Sequence, residues 1–189
     1  MILSDKSIRE AVAKKRIVIE PFDSEMVKSF TYDVKIGHEF LVFQNTTHPY
    51  IDLQNPQDNL TRSVKVENGK PFILHPGEFV LGSLLENLEL PSDIAAQIEG
   101  KSSLGRVGLL IHSTAGYVDP GWKGKLTLEL SNVANLPITI YPGMPIGKLV
   151  FHELSTSSER PYGSPELGSK YHSFDKPVVS KIHLDLEKK

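Results

Sequence analysis

The sequence predicts a mainly β protein, a sandwich or a barrel, with one clear helix. Short apolar runs of strand length follow one another along most of the chain. Turn dipeptides punctuate them at short intervals: Asn68-Gly69, Pro76-Gly77, Pro120-Gly121 and Pro142-Gly143. Helical spacing of apolar residues is clear only near the start. Many short strands with few helices are the pattern of sandwiches and barrels.

The helix is expected over 5–15. Ser4 or Asp5 can cap it, and Ile8, Ala11 and Val12 form its apolar stripe. Pro21 then bars continuation. Strands are expected at Arg16–Glu20, Tyr32–Phe43, Tyr50–Leu53, Ser63–Val66, Pro71–Leu74 and Phe79–Leu84. Further runs follow at Ile94–Ile98, Gly108–Ile111, Lys125–Ser131, Ile138–Tyr141 and Lys148–Phe151. Residues 155–170 change character, with Tyr162 and Leu167 the only sizeable apolar side chains. Such a segment is too poor in apolar surface to fold by itself. It reads as a surface linker, or as a segment that orders over a ligand, with Lys170-Tyr171 beyond it supplying a cation and a ring.

A length of 189 residues suits one domain with a real core. Lys and Arg number 21 against 23 Asp and Glu, so no global basic field exists to hold nucleic acid or a membrane surface. An anionic ligand must be caught by a local cluster. The chain has no cysteine, which excludes disulfides, thiolate nucleophiles and Cys-containing zinc sites. No apolar run approaches the roughly 18 residues of a membrane helix. Met1-Ile2-Leu3-Ser4-Asp5-Lys6 has no signal-peptide core, so a cytoplasmic location is expected.

Three stretches could carry chemistry. Glu99-Gly100-Lys101-Ser102-Ser103-Leu104-Gly105-Arg106 offers cations, hydroxyls and glycines that suit a phosphate, although a polar turn between strands would look the same. It is not a P-loop, because that spacing needs glycine where Ala95 stands. In Lys125–Ser131, period-2 geometry sends Leu126, Leu128 and Leu130 to one face and Thr127, Glu129 and Ser131 to the other. Glu129 is then either part of a solvated face or a general acid/base on a rigid strand. The run from His112 to Trp122 is a tight hairpin, or a pocket wall of small residues with Asp119 as polar reader.

These pieces occur in the order and spacing of the deoxycytidine triphosphate (dCTP) deaminase family, a branch of the trimeric dUTPase-like fold. E-G-K-S-S-L-G-R at 99–106, T-A-G-Y-V-D-P-G-W at 114–122 and L-T-L-E-L at 126–130 carry the resemblance. Ile2-Leu3-Ser4-Asp5, H-P-G-E-F-V-L-G at 75–82 and Tyr162 with Lys170-Tyr171 extend it over nearly the whole chain. The stretch from Glu99 to Gly147 most resembles the actinobacterial bifunctional members, which convert dCTP directly to dUMP for thymidylate synthesis.

The resemblance implies a distorted β-barrel or jelly roll over 1–154 with a flexible tail or lid over 155–189. It implies a cytoplasmic homotrimer with active sites between neighbours, and magnesium carried by the triphosphate, with no zinc. Glu129 would be the proton donor and acceptor, and Ser102 and Arg106 would assist at the base and around the attacking water. Lys101, Ser102, Ser103, Leu104, Gly105 and Arg106 would hold the triphosphate. Asp119 would read the 3′-hydroxyl, and Thr127, Leu128 and Glu129 the base. Tyr162 and Lys170 would close from the tail. Relatives of the family carry glutamine where this chain has Lys148 and Phe174. Lys148 can still meet a phosphate, whereas Phe174 can stack but not hydrogen-bond. Gly116-Tyr117 is the diagnostic pair, since single-activity bacterial deaminases carry His-Arg there. dCTP and dUTP are the expected substrates and dTTP a candidate inhibitor. The rival readings are a deaminase that releases dUTP, a plain dUTPase, and a non-catalytic nucleotide-binding regulator. A regulator would be expected to have lost Glu129.

Overall fold

The computed structural model describes residues 1–44, 49–112 and 114–187. Helix α1 (Asp5–Ala13) opens the chain and buries Ile8 and Ala11. Ser4 caps it, accepting from the Ser7 N–H at 3.4 Å. It stops short of the expected residue 15 because Lys15 turns left-handed, at φ 56°. The amides of Lys15 and Arg16 then bond back to Val12 and Ala11, a Schellman closure made without the usual glycine.

Strands β1 (Val18–Glu20), β2 (Thr31–Phe43), β3 (Thr61–Lys65), β4 (Phe72–Leu74), β5 (Phe79–Leu84) and β6 (Asn87–Glu89) follow. Next come β7 (Ile94–Gly100), the one-turn helix α2 (Ser102–Gly105), β8 (Leu109–Leu110), β9 (Tyr117–Val118), β10 (Lys123–Gly124), β11 (Thr127–Asn132), β12 (Ile138–Ile140) and β13 (Pro145–Glu153). A last helical turn, α3 (His183–Leu186), lies in the tail. The expected mainly β architecture is present. β8, β11, β5, β2, β13, β7 and β9 form one antiparallel sheet in that order, with β3 on β2, and it curls into a half-barrel. Two small sheets, β1-β6-β10 and β4-β12, take up the remaining strands.

β2 makes the curl. Its first half pairs with β13 and its second half with β5 and β3, with an irregularity in the β5 register between Ile36 and Phe40. At the bend, a Cβ on Gly37 would stand 3.1 Å from the Ser83 carbonyl, so the two backbones approach closely there. The buried Glu86 carboxylate receives the Lys35 amide at 3.0 and 3.2 Å, and burial pushes its pKa up. Inside the curl, Tyr32, Val34, Ile36, Phe40, Leu128 and Leu130 are fully buried, and Phe40 stacks on Phe72 at 4.3 Å. Each such aliphatic side chain contributes about 1.5–3 kcal/mol of burial.

One expected strand is missing. Tyr50–Leu53 is exposed and irregular, because the Asp52 side chain accepts from the Gln54 amide and the Asn55 side-chain amide and folds the segment into a turn. Three short strands, β6, β9 and β10, were not expected. They are only two or three residues long, too short for an alternation to announce them.

Beyond β13 the chain returns along the barrel. Tyr162 N–H donates to the Pro120 carbonyl, Ser173 N–H to Lys123, and Lys125 N–H to Phe174. A Cβ on Gly124 would lie 2.8 Å from the Phe174 oxygen, and one on Gly121 2.7 Å from the Pro161 Cβ. Residues 188–189 of the expected tail lie outside the described residues.

Candidate active site

β11 sets the site. Its inward leucines fix the strand, so Thr127 and Glu129 stand half-buried on the outer face. Glu129 pairs in register with Leu81 of β5, and its amide donates to the Ile111 carbonyl at 3.2 Å. A carboxylate anchored on both sides of its backbone keeps its geometry better than one on a loop. The Thr114 hydroxyl donates to Glu129 Oε2 at 3.2 Å.

Glu129 opens onto a cavity of about 360 Å³ shared with Thr127, Tyr117, Trp122, His112 and Phe174. Its walls are largely rings and aliphatic side chains, which suits a flat base. Tail residues Tyr171, Val178, Val179 and Ser180 close one side, and the Val178 amide donates to Thr127 Oγ1 at 3.2 Å.

The structure brings Thr127, Glu129, Tyr117 and Phe174 together, and Leu128 faces the core. It holds the other expected residues elsewhere. Lys101 caps the one-turn helix α2, and Ser102, Ser103, Gly105 and Arg106 are exposed there, with Leu104 packed against the core. No residue from 101 to 106 lines the Glu129 cavity. Lys101 Nζ lies 2.6 Å from Asp33 Oδ2, a pair the sequence did not announce because its members are far apart in the chain. Lys148 sits on β13, half-buried. Asp119 is exposed in the turn after β9. Tyr162 packs against Trp122, with ring centroids 5.3 Å apart and the planes tilted by 33°, and accepts from the Tyr171 amide at 2.9 Å; burial pushes its phenol pKa up. Lys170 pairs with Asp185.

Gly116 is used for close approach. A Cβ there would lie 3.3 Å from the Ile98 carbonyl, and the Ile98 amide donates to Gly116 O at 2.7 Å. Its φ is not among the positive ones, so the fold uses the missing side chain at 116 and not a left-handed backbone. Tyr117 beside it is 74% exposed at the cavity rim. His112, at the head of the run read as a hairpin or pocket wall, lines the cavity, although no individual role was expected of it. Its Nε2 lies 2.5 Å from the Ala115 carbonyl oxygen, and its buried Nδ1 has no partner among the described residues. Its only signal in the sequence is its position at the head of the small-residue run.

Donor chemistry bears on the metal. Among the described residues no three His, Cys, Asp or Glu side chains gather to hold an ion. The exposed hydroxyls of α2 and the exposed Arg106 that ends it fit the oxygens of a polyphosphate, which can bring magnesium with them.

Comparison with known proteins gives the family. Residues 2–154 match a family model described as dCTP deaminase-like. The chain is 54% identical over 188 residues to the dUMP-forming dCTP deaminase of Mycolicibacterium smegmatis, covering all of both chains. It is 51% identical over 189 residues to that of Corynebacterium glutamicum, again covering both fully. Among solved structures, the 2'-deoxycytidine 5'-triphosphate deaminase of Agrobacterium tumefaciens superimposes with a TM-score of 0.65 at 23% identity, over 80% of this chain and 48% of that one. That likeness concerns the fold.

Proposed function

Since the chain belongs to the dCTP deaminase-like family, we propose that Glu129 is the acid/base of a site that takes dCTP to dUMP. The enzyme is a dUMP-forming dCTP deaminase: dCTP + 2 H2O gives dUMP, ammonia and diphosphate. The observation that carries the role of Glu129 is its position on β11, at the wall of a largely apolar cavity of about 360 Å³.

Deamination needs water to add at C4, a proton at N3 and a proton on the departing amine. Glu129 takes one proton of the attacking water and gives it to N3; it then takes the proton of the resulting 4-hydroxyl and gives it to the amine, which leaves as ammonia as the C4 carbonyl forms. The Thr114 hydroxyl orients one carboxylate oxygen and leaves the other for water. Thr127 reads the base, with its hydroxyl exchanging the Val178 amide for the ligand. In the second step water attacks the α-phosphorus and diphosphate leaves. Lys101, Ser102 and Arg106 stabilise the charge that develops on the phosphate oxygens. Magnesium, when bound through the triphosphate, supplies further neutralisation of that charge. Asp119 reads the 3′-hydroxyl, and Phe174 stacks where an amide would have bonded.

The two halves of this machinery lie apart in one chain: Glu129 in its cavity, residues 101–106 outside it. That separation supports a homotrimer in which neighbouring subunits complete each site. dTTP, a pyrimidine triphosphate without the 4-amino group, fits the same site as inhibitor. The cytoplasmic location expected from the sequence goes with a nucleoside triphosphate substrate.

Incubation with dCTP and magnesium, followed by separation of dCMP, dUMP, dUTP and diphosphate, tests the reaction. dUMP and diphosphate are expected to rise together from the start. Accumulation of dUTP without diphosphate would leave a single-activity deaminase. The tail from residue 155 onward acts as a lid, since its Tyr171–Ser180 segment already borders the cavity. Limited proteolysis is expected to cut it more slowly with a non-hydrolysable dCTP analogue than without. Equal cleavage in both samples would count against the lid.

A further inference from the structure

Reading Lys101 as a triphosphate ligand leaves one charge to be accounted for. Lys101 Nζ lies 2.6 Å from Asp33 Oδ2, and Asp33 is only 7% exposed. A carboxylate so covered is strongly disfavoured once its cation leaves. If Lys101 turns to a phosphate, Asp33 needs another partner.

The sheet supplies one. Lys148 on β13 stands directly opposite Asp33 on β2 and, on its other side, directly opposite Glu99 on β7. Residues directly opposite in antiparallel ladders project from the same face, with Cβ atoms about 4.5–5.5 Å apart. The flexible lysine stem spans that gap with ease. Yet among the described residues Lys148 makes no ion pair within 4.0 Å. Glu99 is engaged by the Gln97 side-chain amide at 2.7 Å. Lys148 is thus an uncommitted, half-buried cation standing beside a carboxylate whose present partner is wanted elsewhere.

We propose that Lys148 is a positioning residue for the triphosphate: it takes over Asp33 when Lys101 turns to the phosphates. The inference rests on the reading of residues 101–106 as the triphosphate-binding turn. A neutral side chain at 148 could donate a hydrogen bond to Asp33 but could not replace the charge.

The handover has a signature that needs no turnover. Thermal unfolding is measured for Lys101→Gln, Lys148→Gln and the double variant. Each single variant leaves Asp33 one cation, and the double variant leaves it none. The double variant is expected to lose about 2–4 °C beyond the sum of the single losses. Additive losses would overturn the proposal. So would failure of Lys101→Gln to fold, because Lys148 should then hold Asp33. Steady-state kinetics give the second arm. Lys148→Gln is expected to raise the KM for dCTP about 2–5-fold, with kcat within about twofold, and Lys148→Arg to restore it. An unchanged KM in Lys148→Gln would also overturn the proposal. Absence of wild-type dCTP turnover would instead sink the activity itself and leave the unfolding result standing.

Discussion

Glu129→Gln is expected to lower dCTP deamination by about 10²–10⁴-fold while dCTP still binds. Gln keeps the shape and one acceptor oxygen for the Thr114 hydroxyl, which lies 3.2 Å from the carboxylate. It cannot take the proton of the attacking water. Because Glu129 is only half-buried and its strand is held by Leu128 and Leu130, the exchange leaves the fold intact. The separation of effects is the informative part: calorimetric affinity for dCTP should change little while turnover collapses. Near-normal turnover in this variant would remove Glu129 from the mechanism.

Replacing Gly116 with His and Tyr117 with Arg together is expected to shift the product from dUMP toward dUTP, or to lower both activities. At 116 the first carbon of any side chain meets the Ile98 carbonyl at 3.3 Å. The 2.7 Å bond from the Ile98 amide to Gly116 O ties that loop to β7, so the loop cannot simply step aside. At 117 the change adds a charge at the cavity rim. Both effects fall where the loop meets the cavity, beside the wall that carries Glu129. Chromatographic product ratios over time decide the matter. An unchanged dUMP yield would show that the pair does not determine the product.

What could be read from the sequence followed from short-range periodicity. The alternation in 126–130 fixed both the buried leucines and the outward Glu129, because a strand has only two faces. The x-Gly turns at 69, 77, 121 and 143 all have the positive φ that makes glycine the residue of choice. Other features were hidden for physical reasons. The end of α1 depends on Lys15 adopting a conformation that sequence alone would assign to glycine. The Asp33–Lys101 pair joins residues 68 positions apart. The dispersal of Glu129 and the 101–106 turn is a consequence of how β7, β11 and the curl of β2 are arranged, and no local pattern carries it. The family resemblance implies roles for these residues without implying how far apart the fold holds them.

The meeting of the tail with Gly121 and Gly124 has a consequence for how the chain can vary. At both positions the incoming segment touches main chain, through the Tyr162 and Phe174 backbones as well as the Pro161 ring. Such a seat recognises the path of its guest more than its side chains. Substitutions at exposed positions of the segment, such as Thr156, Ser157 and Glu159, should therefore be absorbed with ease, whereas a single methyl group added at Gly121 or Gly124 would close the seat. Variation across descendants of this gene is then expected to be lopsided, free at those exposed positions and frozen in the host. A low-apolar stretch can drift in sequence and still find its way home.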